Sequence, residues 1–150
     1  MILYLGASSL IKLYIEEVFS DMVREWVDQA EIVATCRVAF TEVIAAIDVR
    51  FRNNDISKKD YEILTNRFSE DWVNFATVDF DEFETGRLIR KYGLKRLDAM
   101  HLSAAKLIKK NRDDISLHFS SADNELCRAA AAEGLRVLTF KSDECDKKPL

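Results

Sequence analysis

Short apolar runs alternate with long stretches of helical periodicity, and this alternation limits the folds that the chain can adopt. Four runs of apolar or β-branched residues have the length of buried strands, and a fifth run is weaker. The four runs are residues 2–5, 31–34, 76–78 and 136–139, and the weaker run is 116–119. Strands that alternate with helices are typical of a mostly parallel sheet covered on both faces. We therefore predict an α/β fold.

The predicted helices between these runs are distributed unevenly. Two helices, at residues 37–53 and 57–74, separate the second strand from the third. Two more, at residues 80–92 and 96–110, separate the third strand from the fourth. An open parallel sheet binds its ligand at the carboxyl ends of its strands, near a switch in strand order. Residues that follow a strand or begin the next helix are therefore the functional candidates.

Length and composition predict one ordinary globular domain. A chain of 150 residues, of which 48% are hydrophobic, is long enough to bury one sizeable core. We predict this domain over residues 1–141 and a polar tail, SDECDKKPL, over residues 142–150. No apolar run approaches the ~20 residues that span a membrane, and no signal peptide is evident. The three widely spaced cysteines lack a CxxC pair, which favours a cytoplasmic location.

The net charge of −4 bears on possible partners. It argues against a nucleic-acid binder that depends on bulk positive charge. It allows an enzyme that holds phosphate groups through a metal ion and a few basic side chains. Candidates for such phosphate contacts are Lys12, Arg37, Arg50 and Arg52.

Three acidic residues occupy candidate positions, and each has an ordinary structural explanation. Glu42 falls on a small apolar helix face, where it could simply reach water. Asp98 lies in a first helical turn, where an acid complements the helix dipole. Asp123 is expected in another first turn, which Ser120 or Ser121 could cap.

The three acids are harder to explain as a set. Each lies at or near a helix start, on the edge of the sheet where ligands bind. Three converging carboxylates would repel one another unless a cation bridged them. Oxygen ligands alone favour a hard ion, Mg²⁺ or Mn²⁺, and such ions suit phosphoryl chemistry. Of the other polar residues, Asp79 or Asp81 is expected to cap a helix, and His101 to be a packed core histidine.

Four blocks of the sequence resemble a known family. They read MILYLGASSLIKLYIEE, VATCRVAFTEVIAAI, YGLKRLDAMHLSAA and HFSSADNELCRAAAAEGLRVL, in that order. Together they are similar to the PIN-domain family, in its VapC-like toxin branch, from the N-terminus to about Leu138. The resemblance implies an α/β/α sandwich around a parallel sheet and endoribonuclease activity that depends on Mg²⁺ or Mn²⁺. It also implies a homodimer and a cognate antitoxin protein that holds the enzyme inactive.

The resemblance also implies the site residues. The family's catalytic and metal-binding acids carry over to Glu42 in AFTEV, Asp98 in RLDAM and Asp123 in SSADN. Supporting hydroxyls carry over to Ser8 and Ser121. In the intact family site, these acids and one more hold one or two divalent ions. A metal-activated water then attacks a phosphodiester of RNA in line.

The chain departs from the family pattern at Gly6. Where the family has its first catalytic aspartate, directly after the first strand, LDxS is replaced by LGAS. Glycine supplies no carboxylate, so weakened metal binding and an impaired or inactive enzyme are expected. The change is a laboratory or spontaneous inactivation, or it marks a natural member that binds RNA or protein without cutting. Two other accounts stay open: the remaining acids suffice for activity, or Gly6 is simply a turn residue.

Two alternative classes of function are also open. A signalling receiver domain has a parallel sheet and an acidic pocket, with Asp79 as the phosphorylation site and Lys141 after the last strand. Receivers, however, alternate single strands with single helices. A protein-binding module would expose an apolar groove near Phe51, Phe68 and Trp72.

Overall fold

The fold has a central sheet of five parallel strands. The computed structural model describes residues 1–141. The strands are β1 (Ile2–Leu5), β2 (Ile32–Cys36), β3 (Ala76–Val78), β4 (Leu117–Ser120) and β5 (Arg136–Val137). They lie in the order β3-β2-β1-β4-β5, and every neighbouring pair is parallel. The predicted parallel sheet is confirmed, with β1 at its centre. The predicted tail at residues 142–150 lies outside the described residues.

Helices pack against both faces of this sheet. They are α1 (Ala7–Leu10), α2 (Ser20–Gln29), α3 (Ala39–Arg52), α4 (Lys58–Asp71), α5 (Glu82–Tyr92), α6 (Arg96–Lys109) and α7 (Asn124–Ala132), with short 3₁₀ helices at Ile11–Leu13 and Trp72–Asn74. The pairs α3–α4 and α5–α6 occupy the two connections in which two helices were expected. Between residues 1 and 141, no helix combines the length and the apolar character that crossing a membrane requires.

Alternation along β1 divides the buried side chains between two cores. Leu3 and Leu5 belong to a core formed with α1 to α4, and Tyr4 belongs to a core formed with α5 to α7. All three side chains are completely buried. Both faces of the sheet present apolar side chains, so both must be covered by helices. The result is the α/β/α sandwich that the resemblance implies.

The aromatic residues Phe51, Phe68 and Trp72, near which a protein-binding module would expose a groove, are buried to different extents. Phe68 is completely buried. Its ring centre lies 5.0 Å from that of Tyr14 and 5.6 Å from that of Trp72. Phe51 stacks on Tyr61 at 4.6 Å. Phe68 therefore cannot line an exposed groove, whereas Phe51 and Trp72 are half-buried.

The observed elements differ from the prediction most clearly between β1 and β2, where α2 was not predicted. The helical pattern of α2 is nevertheless present in the sequence, because Val23, Trp26 and Val27 are spaced as on one helix face and all three pack against the core. Val18, eight positions after Leu10, does not continue a buried helical stripe and is 72% exposed. The reason is that the 3₁₀ helix before it ends at Leu13. Most other elements begin and end within about two residues of the prediction, which is the usual uncertainty of element ends, but α4 ends three residues early, at Asp71, where a 3₁₀ helix follows.

An ionic cluster joins α5, α6 and the end of α7. Glu133 is at its centre, with a side chain only 6% exposed, and accepts hydrogen bonds from Arg87, Tyr92 and Lys106. Burial alone raises the pKa of Glu133, but these hydrogen bonds outweigh burial and hold the pKa well below its usual value. Hydrogen bonds from Arg87 and Lys106 likewise lower the pKa of Glu84 to about 2.

Acid should destabilise the fold through this cluster. Because folding lowers the pKa of Glu84 and Glu133, both stabilise the fold above the unfolded Glu pKa of about 4.3. This stability is lost as the pH falls toward about 2. We expect Glu133→Gln to lower the free energy of unfolding at neutral pH by roughly 1–3 kcal/mol and to make it less sensitive to acid. Urea unfolding at neutral and acidic pH measures the free energy of unfolding and its sensitivity to acid. Asp113→Asn is the control, because Asp113 is an exposed acid.

Candidate active site

The candidate residues lie at the carboxyl edge of the sheet, beside its central strand. β1 lies between β2 and β4, so the strand order changes direction there. An open parallel sheet forms its ligand crevice at such a switch. Gly6 directly follows β1, and Ser121 directly follows β4. Glu42 lies in the first turn of α3, the helix after β2, and Asp98 in the first turn of α6.

Two serine hydroxyls join the segments that follow β1 and β4. Ser8 Oγ and Ser121 Oγ lie 3.2 Å apart. The Ala122 N–H donates to Ser8 Oγ at 2.9 Å, and the Asp123 N–H donates to Ser121 Oγ at 3.1 Å. The two serines named from the resemblance are therefore in direct contact. They tie the start of α1 to the start of α7.

Asp123 is the N-cap of α7, and the expectation that it lies in the first turn is wrong. Its Oδ1 accepts a hydrogen bond from the Leu126 N–H at 2.9 Å, which is the usual N-cap contact. Ser121, one of the residues expected to cap, instead accepts from the Asp123 N–H. Ser120, the other, contacts Ser9 at 2.8 Å through its hydroxyl. Capping holds one oxygen of Asp123 and leaves the other for a different partner.

Two substitutions separate the capping role of Asp123 from its charge. Asp123→Ala should lower the free energy of unfolding by about 1 kcal/mol, because α7 loses its cap. Asp123→Asn keeps a good N-cap and should leave stability nearly unchanged while it removes the negative charge. Urea denaturation measures both. Equal losses in the two variants would contradict the capping role.

His101 holds the Glu42 carboxylate in place. Its Nε2 lies 2.7 Å from Glu42 Oε1, and its Nδ1 lies 2.8 Å from the Tyr4 hydroxyl. Burial raises the pKa of Tyr4 well above its ordinary value, so Tyr4 keeps its proton and can donate it. When the Tyr4 hydroxyl donates to Nδ1 of His101, the single N–H of the neutral imidazole is on Nε2. This N–H donates to the Glu42 carboxylate.

Sequence reasoning missed this chain of hydrogen bonds. His101 is packed as expected, with 1% of its surface exposed. Its contact with Glu42 shows that it also acts on the acidic site, and Glu42, with a side chain 20% exposed, does not simply reach water. One local signal was present, since His101 lies three positions after Asp98 and so shares its helix face. No local pattern indicates Tyr4, which is 97 positions away from His101.

The pKa of Asp98 is affected by the negative charges of Glu42 and Asp123. Burial raises its pKa above the ordinary value, and the negative charge of Asp123 raises it further. Glu42 contributes in the same direction, while His101 and Lys95 lower the pKa. Asp98 is therefore within electrostatic reach of both other acids. The structure brings the three predicted acids to one region and does not scatter them.

The acids do not, however, form a ready metal site. Across residues 1–141, no three His, Cys, Asp or Glu side chains lie close enough together to hold an ion. His101 engages one oxygen of Glu42, and the backbone of α7 engages one oxygen of Asp123. Three carboxylates are the donors that Mg²⁺ and Mn²⁺ prefer. The chemistry of the donors therefore suits such an ion, but their present number and placement do not fit one.

Gly6 lies beside this region, and nothing in its backbone or surroundings requires glycine. Its φ of −66° and ψ of 162° are extended values that any residue adopts. A Cβ at this position would lie 3.4 Å from the Ser120 carbonyl oxygen, 3.6 Å from the Ser121 Cβ and 3.8 Å from the Ser121 Oγ. These are ordinary contacts, so the explanation of Gly6 as a necessary turn residue is not supported. A side chain at this position would begin next to Ser121.

The basic residues named as phosphate contacts are engaged in ion pairs. The pairs are Lys12–Glu17 (3.0 Å), Arg50–Glu17 (3.1 Å), Arg52–Asp48 (2.6 Å) and Arg37–Asp79 (2.8 Å). Arg37 follows β2 at the carboxyl edge, and its pair with Asp79 is exposed and therefore weak. Asp81, one of the two acids expected to cap a helix, caps α5 by accepting from the Glu84 N–H at 2.7 Å.

Comparison with protein families shows which family the chain belongs to. The model described as PIN domain matches residues 3–132, which is most of the chain. The chain belongs to the PIN domain family. This membership confirms the resemblance of the four sequence blocks. It also decides against a signalling receiver with Asp79 as its phosphorylation site.

Known proteins similar to this PIN domain include two ribonucleases. Ribonuclease VapC45 and Ribonuclease VapC49, from two strains of Mycobacterium tuberculosis, are each 27% identical over 145 residues, which cover 95% of this chain and 98% of the relative. FitAcB from Neisseria gonorrhoeae has a TM-score of 0.62 at 17% identity, over 93% of this chain and 97% of its own. PAE2754 from Pyrobaculum aerophilum has a TM-score of 0.62 at 16% identity, over 91% and 89%. These two structures show that the PIN domain shares their fold.

Proposed function

We propose that this PIN domain is a toxin-type endoribonuclease whose metal-dependent cleavage of RNA is impaired at Gly6. The observation that carries the proposal is the meeting of α3 and α6 at this edge, where His101, one turn after Asp98, contacts Glu42 at 2.7 Å and where the charges of Asp123 and Glu42 act on Asp98. Acids that only complemented their own helices would have no reason to gather at one edge of a sheet. Acids that serve a shared cation would lie within reach of one another.

The proposed roles follow from the contacts of each side chain. Glu42, Asp98 and Asp123 are the catalytic and metal-binding residues. Mg²⁺ or Mn²⁺, when bound, would polarise the phosphate and activate a water. His101 orients Glu42, and Ser8 and Ser121 fix the backbone that carries Asp123.

The impairment follows from the missing donor at Gly6. A carboxylate at this position would begin beside Ser121, on the same edge as the other acids. Without it, the set lacks one anionic donor, while His101 and the α7 backbone each engage one oxygen of Glu42 and Asp123. Loss of one anionic ligand from a small set weakens the binding of a hard cation.

The proposal includes the partners that belong to a VapC-like toxin. The 27% identity to two proteins named as ribonucleases supports RNA as the substrate. A cognate antitoxin protein, a homodimer and a cytoplasmic location are parts of the same proposal. Light scattering of the purified chain tests the homodimer, which should have twice the mass of 17.2 kDa.

A second candidate function is a PIN domain that binds RNA or a protein without cutting. The lack of a metal-holding group of side chains within the described part of the chain favours it. Such a domain would use the same carboxyl edge of the sheet as the nuclease but would bind its partner without cleaving it. Restoration of a carboxylate at position 6 distinguishes the two, since only an impaired nuclease would regain cleavage.

Cleavage of a labelled single-stranded RNA tests the proposal. We expect Gly6→Asp to cut in Mn²⁺ at least roughly a hundredfold faster than the unmodified chain, and EDTA to stop it. Failure of both proteins to cut in Mn²⁺ would rule out the impaired nuclease. Equal rates for the two proteins would instead rule out impairment at Gly6.

A further inference from the structure

A cavity lies next to the candidate active site, and none of the proposed catalytic acids lines it. Its volume is about 390 Å³, which lies in the range of small-ligand sites. Lys12, Phe19, Ser121, Asn124 and Phe140 are among the residues that line it. Ser121 also contacts Ser8 and the backbone of Asp123, so the cavity and the acidic site share a wall.

Aromatic rings form the opposite side of this cavity. The rings of Phe19 and Phe140 are stacked, with centres 5.2 Å apart and planes inclined by 16°. Trp26 lies behind Phe140, at 5.2 Å between ring centres. Lys12 Nζ lies 5.7 Å from the centre of the Phe140 ring. Aromatic faces next to a cation are the usual means by which proteins bind unpaired bases.

Phe19 is held in a backbone conformation that bulky residues rarely adopt. Its φ of 71° and ψ of 11° are left-handed values, which glycine adopts easily. Phe19 precedes α2 and supplies no side-chain cap to it. The Val23 N–H donates to the Phe19 carbonyl at 3.2 Å, a backbone contact that any residue could supply, so the helix does not require a bulky side chain here. Strain of this kind is concentrated at ligand-binding positions, and here it places a partly buried ring in the wall of the cavity.

Lys12 supplies a buried positive charge on the same wall. Its side chain is only 9% exposed, and its Nζ pairs with Glu17 at 3.0 Å. An ammonium group has three N–H donors, and donors that lack acceptors are costly in a buried position. An acceptor atom on the edge of a bound ligand would satisfy them.

We propose that this cavity binds one unstacked nucleobase of a single-stranded RNA whose backbone crosses the acidic site. The base lies against Phe19 and presents a carbonyl oxygen, as uracil and guanine have, to Lys12. The proposal rests on the proposed function, because it requires RNA at this edge of the sheet. If a segment of a protein partner occupies the cavity instead, Phe19→Gly should bind the oligouridylate as well as the unmodified chain does.

Fluorescence anisotropy with labelled RNA tests the base site in the full-length chain. The probe is an oligouridylate of about eight nucleotides in Mg²⁺, with gel analysis to show that it stays intact. Phe19→Gly removes the ring and suits the left-handed backbone, so the variant should fold. Phe83→Ala is the matched control, since Phe83 is 84% exposed on α5 and lies outside this cavity.

We expect Phe19→Gly to weaken binding of the oligouridylate at least about fivefold, and Phe83→Ala to leave it unchanged. Lys12→Met, which keeps the length of the side chain, should also weaken binding. An abasic oligomer with the same sugar-phosphate backbone should bind the chain and Phe19→Gly equally.

Three results would overturn the base site. If Phe19→Gly and Lys12→Met both bind the oligouridylate as well as the unmodified chain does, the base site is wrong and the proposed function stands. If Phe19→Gly weakens binding of the abasic oligomer as much as it weakens binding of the oligouridylate, the cavity binds no base. If neither the chain nor Gly6→Asp binds any of these oligomers, the proposed function fails and the base site fails with it.

Discussion

Gly6→Asp should complete a divalent-ion site at the carboxyl edge of the sheet. In calorimetry, we expect the variant to bind Mn²⁺ at least roughly tenfold more tightly than the unmodified chain does. The physical reason is the added carboxylate, which would begin beside Ser121 in a backbone conformation that any residue adopts. Its negative charge would join Asp98 and Asp123 and increase the attraction for a cation.

The same substitution should change stability only when the ion is present. Position 6 is the N-cap of α1, where Asp and Gly differ by only a few tenths of a kcal/mol. In EDTA, the added charge should therefore have little effect or be slightly destabilising. At Mn²⁺ concentrations about a hundred times the Kd, bound ion should raise the free energy of unfolding by about 2.7 kcal/mol.

Gly6→Asn is the matched control for this prediction. Asparagine has nearly the shape of aspartate and caps a helix equally well, but it carries no charge. It should gain little affinity for Mn²⁺. If Gly6→Asn gains as much as Gly6→Asp, the missing charge is not what limits ion binding.

His101→Leu should cause the largest loss of stability at the site. We expect the free energy of unfolding to fall by about 2–4 kcal/mol, because the completely buried Tyr4 hydroxyl loses its acceptor and the packing changes. Glu42 loses its donor as well. Urea denaturation at neutral pH measures the loss.

The second histidine of the chain provides the control. His118 lies in β4, and its buried Nδ1 has no hydrogen-bond partner among residues 1–141. His118→Leu should therefore have little effect or be slightly stabilising. In a Gly6→Asp background, His101→Leu should also weaken Mn²⁺ binding by roughly 10–100-fold, because Glu42 is no longer oriented. Equal costs for the two histidine substitutions would contradict the role of His101.

Local patterns in the sequence predict most of the fold. The strand at residues 2–5 has the predicted bounds, because its apolar run ends abruptly at Gly6. β2 continues past its predicted end because Thr35 is buried and donates its hydroxyl to the Leu5 carbonyl at 2.7 Å. A polar residue whose hydrogen bond is satisfied by a neighbouring strand looks like a loop residue in sequence. By contrast, α2 was missed although Val23, Trp26 and Val27 carry a local signal, the spacing of one helix face.

The site is less predictable from local patterns than the fold. Acids in first turns have an ordinary explanation, so the individual positions of Glu42 and Asp98 do not indicate a shared function. The contacts that connect the site are between distant residues: Ser8 and Ser121 are 113 positions apart, and His101 and Glu42 are 59 positions apart. Only the resemblance to a family pointed to the serines before the structure did. The departure at Gly6 was likewise visible only against that family pattern.

Anomalous X-ray scattering from a crystal of Gly6→Asp grown with Mn²⁺ tests the central claim most directly. The claim is that the carboxylates of Glu42, Asp98 and Asp123 belong to one cation site that lacks its donor at position 6. We expect a manganese peak in contact with the carboxylate introduced at position 6 and with Asp98 or Asp123, at about 2.0–2.2 Å as for other small divalent ions, and no such peak in the unmodified chain. A variant crystal without manganese at this edge, or with manganese bound elsewhere, would contradict the claim.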